Sequence, residues 1–318
     1  MKSVFHSRWS RELQEFVKFR HTYFTSEWPE SALRRFDTWA ATHKSTSLAQ
    51  DIARWLKRAP GPGPVTRGNE LRALRQFCLY RRRFEPGGFV PELTAPVAAV
   101  SSHLEAIILS PHQIKQLLAE IPQLRGPPLR LARMRILFLV LYCTGLRLGE
   151  ALRLRLQDVD LKRAYFRIGP SKSRVRWVPF GADLTAEIKN WLRLRQDAGF
   201  RLTPRTPLFE REDGRADNVW NAWMRFSTLF RRCGLKPRRG SGRGGLRVHD
   251  LRHTFAVHRL QRWYRAGVDP APHLPWLSAY LGHVNLLGTQ RYLSATPLTL
   301  RMASRRFRHS VGFDLAAP

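Results

Sequence analysis

The sequence predicts a mainly α protein of the α+β kind. An N-terminal helical bundle is followed by a mostly helical second domain with a small antiparallel β-hairpin. Three observations carry this. Apolar residues recur at i, i+3, i+4 spacing along most of the chain. One stretch, residues 165–178, reads as two short strands about a turn. A Pro/Gly/Ala-rich run from Pro86 to Ser101 separates two regions as a linker. The 318 residues suffice for two ordinary domains, here placed at 1–100 and 101–318.

In the first domain, Leu13, Phe16 and Val17, then Leu33, Phe36, Trp39 and Ala40, then Leu71, Leu74, Phe77 and Cys78 mark helix faces. Pro29 and the run Ala59 to Pro64 break the segments. The last helix, Thr66 to Arg83, is rich in arginine, and Arg67, Arg72 and Arg75 are taken as contacts to a DNA backbone. In the second domain, Ser110-Pro111 reads as a helix N-cap followed by Pro at the first helical position. Helices are expected at about 111–120, 129–143 and 147–156. The strands Tyr165–Ile168 and Val175–Val178 follow, joined by a turn over 169–173. Further helices are expected near 183–198, 216–233 and 250–266.

The composition, 43% apolar and 25% charged, supports a packed core and excludes global disorder. No apolar run approaches the roughly 18 residues of a membrane span, and the first residues lack a signal-type apolar stretch. The expectation is a cytoplasmic, nucleoid-associated protein without a membrane partner. Cys78, Cys143 and Cys233 are scattered, which suits a reducing compartment and no metal spacing. The net charge of +31 points to a polyanion, most simply nucleic acid. Ribosomal and membrane-surface proteins can be this basic too. The glycine-rich stretch Arg231 to Arg247 has no acidic residue, and Arg238, Arg239 and Arg243 in it are taken as DNA contacts.

Four short segments carry chemistry through their joint order. Thr144-Gly145-Leu146-Arg147-Leu148-Gly149-Glu150 sets Arg147 where one helix ends and the next begins, a place from which a guanidinium can offer two parallel N–H donors to a phosphate. Lys172 sits on the hairpin turn, where it is either simply solvated or able to enter a DNA groove. In His249-Asp250-Leu251-Arg252-His253, the i, i+3 spacing puts His249 and Arg252 on one helix face. The His249/His253 spacing is also that of zinc proteases, a reading that leaves the charge and the other segments unexplained. Tyr280-Leu281-Gly282-His283 is followed nine residues later by Tyr292.

The order Arg147, Lys172, His249, Arg252, His283, Tyr292, with HxxR, LGH and the spaced tyrosine, resembles the tyrosine recombinase (phage integrase) family. The resemblance spans about 108–308. The first domain resembles the family's core-binding domain in size, helicity and its basic last helix. The resemblance implies a site-specific DNA recombinase or integrase, often borne on a mobile element and able to serve transposition. Such an enzyme cleaves and rejoins double-stranded DNA through a 3′-phosphotyrosine. Tyr292 is then the nucleophile, Arg147 and Arg252 the phosphate clamp and His283 a third donor. A phenol of pKa about 10 is ionised about once in a thousand at neutral pH, so Tyr292 needs a base, and His249 is the candidate. Lys172 is implied as the acid for the leaving 5′ oxygen. No ATP, metal or other cofactor is required, and no P-loop is present.

Two departures stand out: the turn reads Gly-Pro-Ser-Lys-Ser rather than the family's Gly-Lys-Gly, and a proline-rich run precedes the LGH helix. Glu150 either orients Arg147 or is an exposed helix-start residue. Leu300, Ala303 and Phe307 form an apolar stripe expected to dock on a neighbouring subunit, in a homo- or hetero-oligomer that becomes a tetramer on paired sites. The competing readings are a type IB topoisomerase and a catalytically silent DNA-binding regulator.

Overall fold

Four helices, Ser10–Tyr23 (α1), Glu30–Thr42 (α2), Leu48–Lys57 (α3) and Pro64–Arg81 (α4), build the first of two units, Met1–Glu105. In this computed structural model the described residues are 5–23, 30–43, 47–59, 61–93, 106–169, 175–237, 244–283, 287–290, 292–293 and 297–311. The apolar faces meet in one core of Leu13, Phe16, Leu33, Phe36, Ile52, Trp55, Leu74 and Phe77. Helix α3 is an addition to the expected bundle. Ser47 caps it, its hydroxyl accepting from the Gln50 N–H, and Leu48, Ile52 and Trp55 form its buried face. Pro64, at the first helical position, starts α4.

The second unit, Ala106–Pro318, begins with Pro111–Glu120 (α5), capped reciprocally by Ser110 and Gln113. Helix α6, Pro128–Thr144, is buried nearly all round, as its unbroken apolar run Ile136 to Tyr142 requires. The next helix, Leu148–Leu152 (α7), is shorter than the expected 147–156. After Leu152 the chain leaves the helix and makes a 3-10 turn at Leu156–Asp158.

The expected hairpin is present as Tyr165–Ile168 (β2) and Arg176–Pro179 (β3), with Phe166 opposite Val178, both fully buried. A third strand, Val159–Asp160 (β1), pairs antiparallel with β2, giving the order β1-β2-β3. Helices Ala182–Asp197 (α8), Val219–Arg232 (α9) and Asp250–Arg265 (α10) follow, then Leu274–Leu281 (α11), Leu287–Gln290 (α12) and Pro297–Val311 (α13). Helices α8 and α10 pack on α6, and α13 packs on α10. No helix among the described residues is long and apolar enough to cross a membrane.

Candidate active site

Two left-handed glycines shape the site. Helix α6 ends at Gly145 (φ +63°) and α11 at Gly282 (φ +71°). Both turns are tightly packed. A Cβ on Gly145 would lie 2.6 Å from Phe255 Cδ1, and one on Gly282 would lie 2.9 Å from Arg176 Cζ. Glycine is therefore needed at Gly145 and Gly282 for conformation and for space.

The first turn makes Arg147 the N-cap residue of α7, and its Nη1 donates to Glu150 Oε1 (2.9 Å) while Nη2 donates to the Gly282 carbonyl (3.1 Å). Arg252, in the first turn of α10 and 1% exposed, donates from Nη1 to the Gly145 carbonyl (2.9 Å) and from Nη2 to the Leu281 carbonyl (2.7 Å). Both guanidiniums thus hang on the consecutive carbonyls of residues 281 and 282, beside His283. The buried Arg252 Nε–H meets no acceptor among the described residues. Burial, then the nearby Arg147, pulls the Arg252 pKa down to about 10, so it stays a cation at neutral pH.

Glu150 fixes the arrangement and is buried, not an exposed helix-start residue. It accepts from the Arg147 N–H (3.0 Å), Arg147 Nη1, Arg176 Nη1 (3.2 Å) and Arg176 Nη2 (2.8 Å). Burial alone would raise its pKa, but the bonds to Arg176 and Arg147 outweigh it and hold the carboxyl at about 2. Arg176 also donates from Nε to the Tyr280 carbonyl (3.0 Å), tying β3 to α11. Three cations, Arg147, Arg176 and Arg252, surround one carboxylate, which leaves a net charge of +2 for an anion. Sequence reasoning misses Arg176: its partner lies 26 residues earlier, and no local pattern marks it.

His249 forms the N-cap of α10 and is exposed. Its inner side is desolvated and faces Arg252, which lowers its pKa to about 4. At neutral pH it is then an uncharged imidazole, able to donate a hydrogen bond to a phosphate. The next histidine on the helix, His253, is buried, with its ring 4.8 Å from that of His249 and perpendicular to it. Its Nδ1 lies 2.9 Å from the Tyr292 hydroxyl. Among the described residues no group of three or more His, Cys, Asp or Glu side chains is arranged to hold a metal ion.

Tyr292 is 1% exposed and belongs to the buried cluster that holds Phe255, Leu277 and Leu281, close enough to bear on the charge of Arg252. His283 lies over its ring, with centroids 6.2 Å apart, and its Nδ1 pairs with Thr289 Oγ1 at 2.7 Å. The structure therefore brings Arg147, His249, Arg252, His283 and Tyr292 to one place. Lys172 and Arg238, Arg239 and Arg243 lie outside the described residues. On α4, Arg67 is exposed, Arg72 donates to Asn69 Oδ1 (3.1 Å), and Arg75 spends one N–H on the Pro91 carbonyl (2.6 Å).

The chain is similar to known proteins over most of its length. A family model described as "Phage integrase family" matches residues 108–299. The chain is 30% identical over 310 residues to "Putative integrase/recombinase y4rB" of Sinorhizobium fredii, covering 94% of this chain and 97% of that one. It is 29% identical to tyrosine recombinase XerA of Pyrococcus furiosus, covering 90% and 86%. In fold it is similar to the Tn1549 transposon integrase solved with transposon right end DNA (TM-score 0.64, 16% identity, 95% and 99% covered). It is similar as well to the XerH site-specific recombinase bound to its difH substrate after cleavage (TM-score 0.62, 17% identity, 97% and 90% covered).

Proposed function

This chain belongs to the phage integrase family and is a site-specific tyrosine recombinase, a DNA strand transferase; we propose that Tyr292 is its nucleophile. The observation that carries the proposal is the anchoring of Arg147 and Arg252 on the carbonyls of Gly282 and Leu281, next to His283, with Tyr292 buried beside Arg252. Attack on a phosphodiester places charge on the non-bridging oxygens. Donors already fixed in place, Arg147, Arg252, His283 and neutral His249, stabilise that charge without reorganising. Glu150 and Arg176 hold the clamp in shape. Lys172 takes the role of acid for the 5′ oxygen, on the strength of the family resemblance alone. The product of cleavage is a 3′-phosphotyrosine and a free 5′-hydroxyl, so the bond energy is retained for rejoining. Because Tyr292 is covered, its oxygen must be uncovered before it meets a phosphate.

The partner is double-stranded DNA, as for the XerH and Tn1549 structures, and the charge of +31 supplies non-specific affinity. Arg67 and Arg72 on α4, with Arg238, Arg239 and Arg243, contribute backbone contacts. We place the enzyme with mobile DNA and transposition, by likeness to the Tn1549 integrase. Recombination requires paired sites, and we propose a tetramer linked through the C-terminal segment. Helix α13 packs on its own α10, with Arg306 donating to the Gly267 carbonyl (2.8 Å), yet Leu300 and Phe307 of the stripe are 51% and 69% exposed. Neither topoisomerase activity nor silent regulation is favoured. The test is covalent trapping on nicked DNA carrying a bound site: wild type forms an adduct and Tyr292→Phe does not. An adduct with the Phe variant removes the assignment.

A further inference from the structure

The Tyr292 hydroxyl lies 2.9 Å from His253 Nδ1, and the two residues are 1% and 4% exposed. We propose that His253 accepts the phenol proton as Tyr292 attacks, a role that rests on Tyr292 being the nucleophile. In the sequence His253 stood out only as a second histidine of a metal-like spacing. The fold gives it another use. A neutral imidazole with its proton on Nε2 accepts through Nδ1, and in that tautomer the 2.9 Å contact is one in which the phenol O–H donates to His253. His253 directly follows Arg252, whose guanidinium is tied to the Gly145 and Leu281 carbonyls. The group that grips the phosphate and the group that receives the proton are therefore fixed on adjacent residues of one helix.

The step balances. Tyr292 Oη bonds to phosphorus as its proton passes to Nδ1, and the P–O5′ bond breaks. The leaving 5′ oxygen takes a proton from a separate acid, the role proposed for Lys172. Rejoining runs the sequence backward: the phenolate leaves phosphorus and recovers its proton from the imidazolium. Around the pair stand His249 and Arg252 of α10 and, over the phenol ring, His283, with Arg147 and Glu150 in electrostatic reach of Arg252. A second positive charge beside Arg252 is unfavourable alone. The incoming phosphate offsets it, which couples proton acceptance to the presence of substrate.

The test uses the full chain and a duplex selected from a random library by its binding, with a nick walked along the selected site. Single-turnover adduct formation is followed across the pH range in which an imidazole titrates. His253→Asn keeps a polar atom near the Nδ1 position but cannot take a proton. It is expected to bind the duplex and melt as wild type does, yet to form adduct about 10²–10⁴-fold more slowly, with a rate that keeps climbing towards phenol ionisation. A variant with the wild-type rate and pH profile overturns the proposal. So does a variant faster than wild type, which would make the bond a latch on the nucleophile. Nitrogen NMR of His253 in the unmutated chain decides independently of any folding defect: the proposal requires Nε2–H and a bare Nδ1, and a proton on Nδ1 overturns it. Adduct formation by Tyr292→Phe would instead remove the nucleophile assignment, a separate failure.

Discussion

Replacing Glu150 with Gln keeps the shape of the side chain and removes the charge that two arginines share. In the wild type, both carboxylate oxygens accept from Arg147 and Arg176. In the variant the amide nitrogen would face a guanidinium N–H, donor against donor. The magnitude follows from linkage. The carboxyl pKa is about 2 in the folded chain against an ordinary 4.5. At roughly 1.4 kcal/mol per unit this is on the order of 3 kcal/mol at neutral pH. The folded pKa is the lower one, so the stabilisation is fully present above the ordinary value and is lost as pH falls towards the folded value. The wild-type advantage over Glu150→Gln should then shrink to about 1 kcal/mol near pH 3. Urea unfolding at the two pH values, with the m-value checked for constancy, measures it. A gap well under about 1 kcal/mol at neutral pH, or a gap that does not shrink on acidification, would refute the argument. The variant should also cleave more slowly, because Arg147 loses its anchor.

Other expectations follow from the same geometry. Arg252→Lys cannot reach both the Gly145 and Leu281 carbonyls and lacks the planar fork, so adduct formation should fall about 10²–10³-fold with DNA binding nearly intact; a rate within a few-fold of wild type contradicts the clamp. Gly145→Ala forces a Cβ to 2.6 Å from Phe255 at φ +63° and should cost about 2–4 kcal/mol in thermal or urea unfolding, whereas a neutral effect would place the turn elsewhere. Affinity for random duplex should fall roughly a thousandfold or more between low and moderate salt, and an affinity indifferent to salt would sink the charge argument. Charged residues at Leu300 and Phe307 should leave single-site binding intact and reduce the pairing of two sites in a gel-shift assay; unchanged pairing would count against exchange through α13.

Much of the site was legible because its residues stand where chain geometry changes. Arg147 follows a left-handed glycine, His249 caps a helix, and His283 follows a second such glycine, so short local patterns mark all three. Tyr292 was legible only by its spacing from them. What local pattern does not carry is pairing at a distance. Arg176 is one residue of a four-residue strand until Glu150 meets it, and the partner of His253 lies 39 residues away. The lowered pKa of His249 has the same kind of origin: it is set by burial and by Arg252, which sequence spacing shows only as a shared face. In the fold, helix spacing found most elements but not their ends. The expectation of 147–156 overshoots, because the chain turns at Arg153 towards β1, and a two-residue strand is too short for any periodicity.

If Tyr292 bonds to the DNA, mass spectrometry of the trapped adduct reveals it. After nuclease and protease digestion, a nucleotide mass is expected on the peptide containing Tyr292, linked through its phenol oxygen to a 3′-phosphate. A nucleotide on any other side chain, or a 5′-phosphate link, would contradict it.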